Sequence, residues 1–270
     1  MDWKIPAGPV AKIQIDVEPA EPGRSYTGMH PVVADPRVAI EALDATLVDA
    51  PSFEGWAASA GRLVASWKAE AGKLVTSARP IAVQRLCAEI GQALPDDAIL
   101  VADTGFSTIW SANLIPLRQG QTYLRAAGSL GWAFPASLGA QCAAPDRPVI
   151  CFTGDGALYY HISELETARR RNLPVVVVVN NNSMFAQGLT NVRKLLKGHG
   201  PGASYSEMIS FGPTDFARIA EAFGVHGMRV EDPAELGGAL RKAIAMRRPV
   251  VVDVITDPES RIPEPWQRPA

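Results

Sequence analysis

The chain has 270 residues, 47% of them apolar and 20% charged, the balance of an ordinary globular protein able to bury a full core. A formal charge of −2 offers no electrostatic footprint for nucleic acid or an anionic membrane, and no apolar run reaches the roughly 20 residues of a membrane-spanning helix. Cys87, Cys142 and Cys151, widely spaced in apolar surroundings, read as reduced core thiols and not as a disulfide framework or zinc site; the opening Met1–Pro6 has no signal-peptide core, so a cytoplasmic protein is expected.

In chain order, Val10–Val17 alternates as a short strand and turns away through Glu18–Arg24. A second apolar piece, Pro31–Ala34, leads into a helix capped near Asp35-Pro36 and carrying Ile40, Leu43 and Leu47. Residues 1–50 thus hold two strands and a helix, too little to fold alone. Over residues 51–78, Trp56, Ala60, Leu63, Val64 and Trp67 recur at helical spacing, which predicts a linking helix with a packing face.

Residues 79–258 form the main domain. Arg79-Pro80 opens it, and a helix then turns Val83, Leu86, Cys87 and Ile90 toward a sheet. Ala98–Ala102 is the first strand and ends in Asp103-Thr104-Gly105-Phe106-Ser107-Thr108. Hydroxyl residues around a glycine, between strand and helix, suit either a phosphate cradle or simple N-capping by Thr104 or Ser107. Tyr123–Arg125 is a short strand, followed by the glycine-flanked run Ala127–Ala136.

Pro148–Phe152 then reaches Thr153-Gly154-Asp155-Gly156; Ile162, Leu165 and Ala168 mark a helix, and Val175–Val179 is an unbroken β-branched strand ending in Asn180-Asn181-Asn182. Beyond Phe185, Arg193, Lys194 and Lys197 read as a solvated helix face and Gly198–Gly202 as a mobile loop. Asp215 caps a helix that stops at Gly224, Val225–Val230 is a strand, Asp232-Pro233 starts a helix, and Pro249–Ile255 is the last strand. This alternation predicts an α/β fold, a three-layer, doubly wound and mostly parallel sheet. The tail, residues 259–270, holds Pro263, Pro265 and Trp266 and is placed over the site or a partner.

The chemistry concentrates between Cys151 and Met184. Ligands of open α/β sheets bind at the carboxyl edge, where Asp155 and the asparagine run supply a carboxylate, an amide oxygen and a turn carbonyl. Such a shell suits Mg²⁺ or Ca²⁺ and is completed by a diphosphate. Gly154 and Gly156 allow close backbone approach, and the following helix offers free N–H groups. The competing reading is a ligand-free turn with a capping asparagine cluster. His30, His161, His199 and His226 have no metal-ligand spacing, His161 being assigned a structural or capping role, and no Gly-x-Gly-x-x-Gly supports a dehydrogenase.

Gly154-Asp155-Gly156, a spacer over 157–180 and Asn181-Asn182 resemble the signature of thiamine-diphosphate enzymes, specifically the C-terminal, diphosphate-binding half of the acetolactate synthase and benzoylformate decarboxylase family. The resemblance implies thiamine diphosphate and Mg²⁺ as cofactors. Asp155 and Asn182 would be side-chain ligands and the Met184 carbonyl the third, with Asn181 as runner-up; Thr104, Ser107, Gly154, Gly156 and Ala157 would surround the diphosphate. The loop Gly128–Pro135 resembles the ring-binding loop of benzoylformate-type decarboxylases. There the Gly128 carbonyl would accept from the 4′-amino group, Ser129 would contact the cofactor, and Leu130 would wedge its two rings into a near-attack arrangement.

Ile13–Asp16 and Pro19–Arg24 resemble the end of the central domain in the long enzymes, making residues 1–50 a remnant of it. The family's catalytic Glu, which protonates the pyrimidine, belongs to a separate pyrimidine-binding domain with no counterpart here, while Glu164 and Glu166 fall on the diphosphate side. The resemblance therefore implies a hetero-oligomeric decarboxylase or carboligase of 2-oxo acids and aldehydes, with a partner subunit supplying the Glu. The alternative is a non-catalytic, cofactor-binding or regulatory subunit.

Overall fold

The structure, a computed structural model, describes residues 10–47, 52–197 and 206–261. The chain divides into two compact units, Met1–Gly61 and Arg62–Ala270.

In the first unit, β1 (Ile13–Asp16) and β2 (His30–Val33) pair in parallel with Ile13 opposite His30. The Gln14 side chain ties the connection between them, accepting from the Gly23 N–H at 2.9 Å and donating to the Glu21 carbonyl at 3.2 Å. Helix α1 (Pro36–Thr46) starts as its sequence dictates: Asp35 is the N-cap and accepts from the Arg37 N–H at 2.8 Å, and Pro36 fills the first helical position, where no N–H is needed. Parallel sheets are ordinarily covered on both faces. Here every residue of β2 is exposed, together with Ile13 and Val17.

Helix α2 (Glu54–Lys73) runs across the boundary between the units. Of the stripe expected to pack, Trp56 is 74% accessible and Leu63 and Val64 are exposed, Ala60 and Trp67 are half-buried, and Ala71 is the one buried residue of the helix. Amphipathic spacing specifies that a face is apolar; what covers it must come from elsewhere.

The second unit is the predicted α/β layer structure. It runs through α3 (Val83–Ala93), β3 (Ile99–Ala102), α4 (Phe106–Leu114), β4 (Thr122–Arg125), α5 (Ala133–Ala143), β5 (Val149–Gly154), α6 (Asp155–Leu158), α7 (Glu164–Arg170) and β6 (Val175–Asn181). It continues through α8 (Leu189–Leu195), α9 (Ser206–Ile209), α10 (Phe216–Ala222), β7 (His226–Val230), α11 (Pro233–Ala245) and β8 (Val250–Ile255). The six strands lie in the order β4-β3-β5-β6-β8-β7, and every neighbouring pair is parallel.

Both faces are covered. Leu86, Ile90, Trp110, Phe152, Val178 and Leu236 belong to one core; Phe134, Leu158, Leu165, Val177, Phe216 and Val251 belong to the other. Because strand side chains alternate, the valine run of β6 feeds both cores at once. No helix among the described residues is long and apolar enough to cross a membrane.

Four expectations are corrected. The single helix predicted after Gly156 is three pieces, α6, a 3₁₀ turn at Tyr159–His161, and α7. The interruption falls where the 128–132 loop presses in: a Cβ on Gly131 would lie 2.6 Å from Tyr160 Cβ and 3.1 Å from the Ala157 carbonyl oxygen. Cys142 is exposed, whereas Cys87 and Cys151 are buried. Neither Thr104 nor Ser107 caps α4; its N-cap is Gly105, at φ +95°, without a side-chain cap. Arg193 is not a solvated cation, since it grips Glu259 through both terminal nitrogens, at 2.9 Å and 2.5 Å. The Gly198–Gly202 loop, His199, and the tail residues Pro263, Pro265 and Trp266 lie outside the described residues.

Candidate functional site

From β3 the chain crosses to β4 on one side, and from β5 it crosses to β6 on the other. Their carboxyl-end loops therefore diverge and leave a crevice, the place where doubly wound sheets take ligands. A cavity of about 340 Å³ opens there. The β3–α4 turn contributes Thr104 and Ser107, the loop before α5 contributes Leu130, the β5–α6 turn contributes Gly154, Asp155, Gly156 and Ala157, and the chain beyond β6 contributes Asn182 and Met184. Gly128 and Ser129 are exposed and do not line it. A larger cavity, about 610 Å³, lies along Trp67, Ala71, Leu114 and Ile115, and no described residue lining it is a carboxylate.

Asp155 is 3% exposed. Its carboxylate accepts from the Gly156 N–H at 2.6 Å and from the Asn182 N–H at 3.0 Å, so it ties the end of β5 to the end of β6. Burial pushes its carboxyl up to about 6, against the opposing pull of backbone N–H groups from Gly156, Asn182, Ser183 and Met184. Among the described residues, no lysine, arginine or histidine lines the cavity. A buried carboxylate without a cationic partner is costly, and a divalent ion would relieve that cost.

The three asparagines diverge, as strand alternation requires. Asn181 turns away from the cavity, its amide donating to Asp253 Oδ1 at 2.8 Å and to the Thr214 carbonyl at 2.9 Å. Asn180 and Asn182 line the cavity. The Asn180 amide oxygen accepts from Thr256 Oγ1 at 2.6 Å, whereas that of Asn182 accepts only a 3.2 Å bond from the Met184 N–H. The Thr104 hydroxyl oxygen is buried without a hydrogen-bond partner among the described residues, a rare and unfavourable state unless a ligand supplies one. Carboxylate, amide and hydroxyl oxygens make a donor set for a hard cation and an anionic oxygen ligand, and not for a soft metal.

Two glycines are held by crowding. A Cβ on Gly156 would lie 2.5 Å from the Phe185 ring, itself packed edge-on against Phe211 with centroids 4.7 Å apart. On Gly105 a Cβ would meet Gln187 Oε1 at 3.1 Å, in a backbone conformation that disfavours side chains.

Sequence reading passed over Phe185, Gln187 and Asn191, which form the far wall of the cavity, because neutral residues in a short irregular segment carry no spacing signal. It also passed over Asp103. This fully buried carboxylate accepts from the Gly131 N–H at 2.9 Å, the Ala133 N–H at 3.1 Å and Thr153 Oγ1 at 3.2 Å, and burial raises its pKa.

Residues 103–254 match the family described as thiamine pyrophosphate enzyme, C-terminal TPP binding domain. The chain belongs to this family. The matched span contains every described residue lining the 340 Å³ cavity. Relatives include a probable acetolactate synthase large subunit of Methanococcus aeolicus, 28% identical over 269 residues, which cover 93% of this chain and 43% of that protein. The acetolactate synthase isozyme 1 large subunit of Escherichia coli is 30% identical over 187 residues, 68% of this chain and 32% of its own length. A putative thiamine pyrophosphate-containing protein of Bacillus subtilis is 27% identical over 253 residues, 93% of this chain and 43% of its own. The chain spans less than half the length of these relatives and corresponds to the C-terminal, thiamine-diphosphate-binding half of an acetolactate-synthase-like enzyme.

Proposed function

We propose that this chain is the diphosphate-binding subunit of a thiamine-diphosphate- and Mg²⁺-dependent 2-oxo-acid decarboxylase or carboligase, and that a partner chain with a pyrimidine-binding domain supplies the catalytic Glu. The observation that carries the reading is the unsaturated oxygen shell at the switch point: buried Asp155, the Asn182 amide oxygen and the unpartnered Thr104 hydroxyl facing one cavity.

With Asp155 as the one charged group among the described residues of that lining, a diphosphate enters only with a neutralising dication. Asp155, Asn182 and the Met184 carbonyl hold Mg²⁺, and Asn182 is favoured over Asn181 because the Asn181 amide is already committed to Asp253 and Thr214. Thr104, Ser107 and the N–H groups of Gly156 and Ala157 receive diphosphate oxygens. Leu130 wedges the cofactor rings, with Gly128 and Ser129 beside it. When bound, the cofactor supplies the carbanion chemistry; the protein's part is to orient it, neutralise it and keep water out. Among the described residues no glutamate lines the cavity, and Glu166 on α7 is engaged by Arg170 at 2.8 Å. The exposed apolar sheet and α2 stripe of residues 13–67 suit a central-domain remnant completed by the partner, a cytoplasmic hetero-oligomer.

The test is calorimetric titration of thiamine diphosphate with Mg²⁺ into the chain alone and into the chain co-expressed with its neighbouring gene product. Binding that depends on Mg²⁺ and disappears in Asp155→Ala, with 2-oxo-acid turnover only in the co-expressed sample, is expected. Absence of binding in both samples overturns the cofactor reading. Turnover by the chain alone at an ordinary enzymatic rate overturns the split, and turnover unchanged by Asp155→Ala in the complex makes the chain a non-catalytic subunit.

A further inference from the structure

We propose that Asp103 is a positioning residue that locks the Leu130 loop to the Gly154-Asp155-Gly156 turn, setting the distance between the two ends of the cofactor. The inference rests on the preceding reading, in which the Leu130 loop meets the rings and the turn meets the diphosphate.

The geometry is that of one carboxylate touching both loops. Asp103 follows β3, and its N–H donates to the Phe152 carbonyl at 2.9 Å, so its backbone is already tied to β5. Its Oδ2 accepts from Thr153 Oγ1 at 3.2 Å, and Thr153 directly precedes the Gly154-Asp155-Gly156 turn. The same oxygen accepts from the Ala133 N–H at 3.1 Å, and Oδ1 accepts from the Gly131 N–H at 2.9 Å. Those two donors flank Trp132 at the start of α5, immediately after Leu130. The loop is held from its other side as well, where Gly131, at φ +88°, leaves no room for a Cβ against Tyr160, His161 and the Ala157 carbonyl. Leu130 is thereby clamped between the buried acid that follows β3 and the helix that grows out of the diphosphate turn.

The residue type follows from the donors. Two backbone N–H groups at the start of an 11-residue helix and a hydroxyl all point inward at one place, and a carboxylate offers acceptors to all three while its charge is favoured at a helix N-terminus. Asparagine has one acceptor oxygen, so its NH₂ would face an N–H and push the Gly131–Ala133 loop away. The Asp155 shell, built from different atoms, would be left in place.

That separation supplies the test, because inorganic pyrophosphate with Mg²⁺ engages only the diphosphate end, whereas thiamine diphosphate with Mg²⁺ engages both. Affinities for the two ligands are measured on the wild type, Asp103→Asn and Thr153→Val, in whichever form, alone or with the partner, the wild type binds thiamine diphosphate. Thr153→Val removes one donor to Asp103 with almost no change in shape and gives a reading if Asp103→Asn fails to fold. The expected result is a loss of tenfold or more in thiamine diphosphate affinity for Asp103→Asn, and about threefold for Thr153→Val, with pyrophosphate affinity within twofold of wild type. Equal losses for both ligands would make Asp103 a general structural residue and overturn the proposal, as would no loss for either. A wild type that binds pyrophosphate as tightly as thiamine diphosphate would overturn the ring-loop reading on which the proposal rests. A wild type that binds neither would overturn the cofactor assignment and the proposal with it.

Discussion

On one side of the carboxyl end of β6, Asp253 is fully buried and saturated: its oxygens accept from the Asn181 amide at 2.8 Å, the Phe216 N–H at 3.0 Å and Arg229 Nη1 at 3.1 Å. On the other side, Asp155 is also buried, but among the described residues it receives only backbone N–H groups and no cationic side chain lines its cavity. Burial raises the pKa of both carboxyls, and in Asp253 the Asn181 amide and the Arg229 charge pull against it. The first arrangement is complete as it stands and holds α10 to the sheet. The second has no charged or side-chain partner among the described residues. A buried polar group with all its partners is structural; one lacking them in a concave site points to a ligand.

The sharpest way to break this contrast is to remove each acid in turn. Asp253→Ala strands a buried amide, a buried N–H and an arginine, and is expected to cost about 3–5 kcal/mol of stability, read by urea unfolding. Asp155→Ala is expected to change stability by under about 1 kcal/mol, since lost hydrogen bonds offset relief from burial, and yet to lower thiamine diphosphate affinity at least 100-fold. The opposite pattern would mean that the two edges have been assigned the wrong way round.

A finer version exchanges the neighbouring asparagines. Asn181→Ala should destabilise by about 1–2 kcal/mol through the unsatisfied Asp253 and Thr214 acceptors, leaving cofactor affinity within threefold. Asn182→Ala should do the reverse, with tenfold weaker binding and stability within about 0.5 kcal/mol. If Asn181→Ala weakens binding as much as Asn182→Ala does, the metal register is shifted by one.

The smallest effect concerns the strap between the two edges, Arg193 on α8 and Glu259 after β8. The Arg193 hydrogen bond lowers the Glu259 pKa. An acid whose folded pKa is depressed adds stability above its unfolded value and loses it as pH falls through the folded one. Because both side chains are a third to a half exposed, the gain is a few tenths of a kcal/mol. Glu259→Gln should therefore lower the melting temperature slightly at pH 7, with the difference closing as pH falls through the lowered Glu259 pKa. A difference independent of pH would mean that packing, and not charge, carries the contact.

Much of this molecule was legible from residues alone. The β-branched run Val175–Val179, uninterrupted by polar residues, requires a strand covered on both faces, and that is how β6 lies between two cores. The caps Asp35, Asp215 and Asp232 each receive the backbone N–H expected of them, because capping is local chemistry. Cys142 was misread because an apolar neighbourhood in sequence does not say which side of α5 a residue occupies. The α2 stripe was read as a packing face, but Trp56, Leu63 and Val64 are exposed while Ala60 and Trp67 are half-buried, since burial depends on a covering surface that periodicity cannot supply.

The sequence by itself determined the alternating α/β order, the glycine-flanked acid after β5 and the asparagine run after β6, all properties of consecutive residues and their dihedral and side-chain preferences. Only the tertiary structure decided which asparagines face the cavity, which carboxylate is saturated, and that Asp103, 52 residues before Asp155 in sequence, touches both loops of the site. These are matters of strand register and of which donors converge from distant segments, and a parallel sheet, whose neighbours are joined by long crossovers, brings such segments together without leaving a mark in the local sequence.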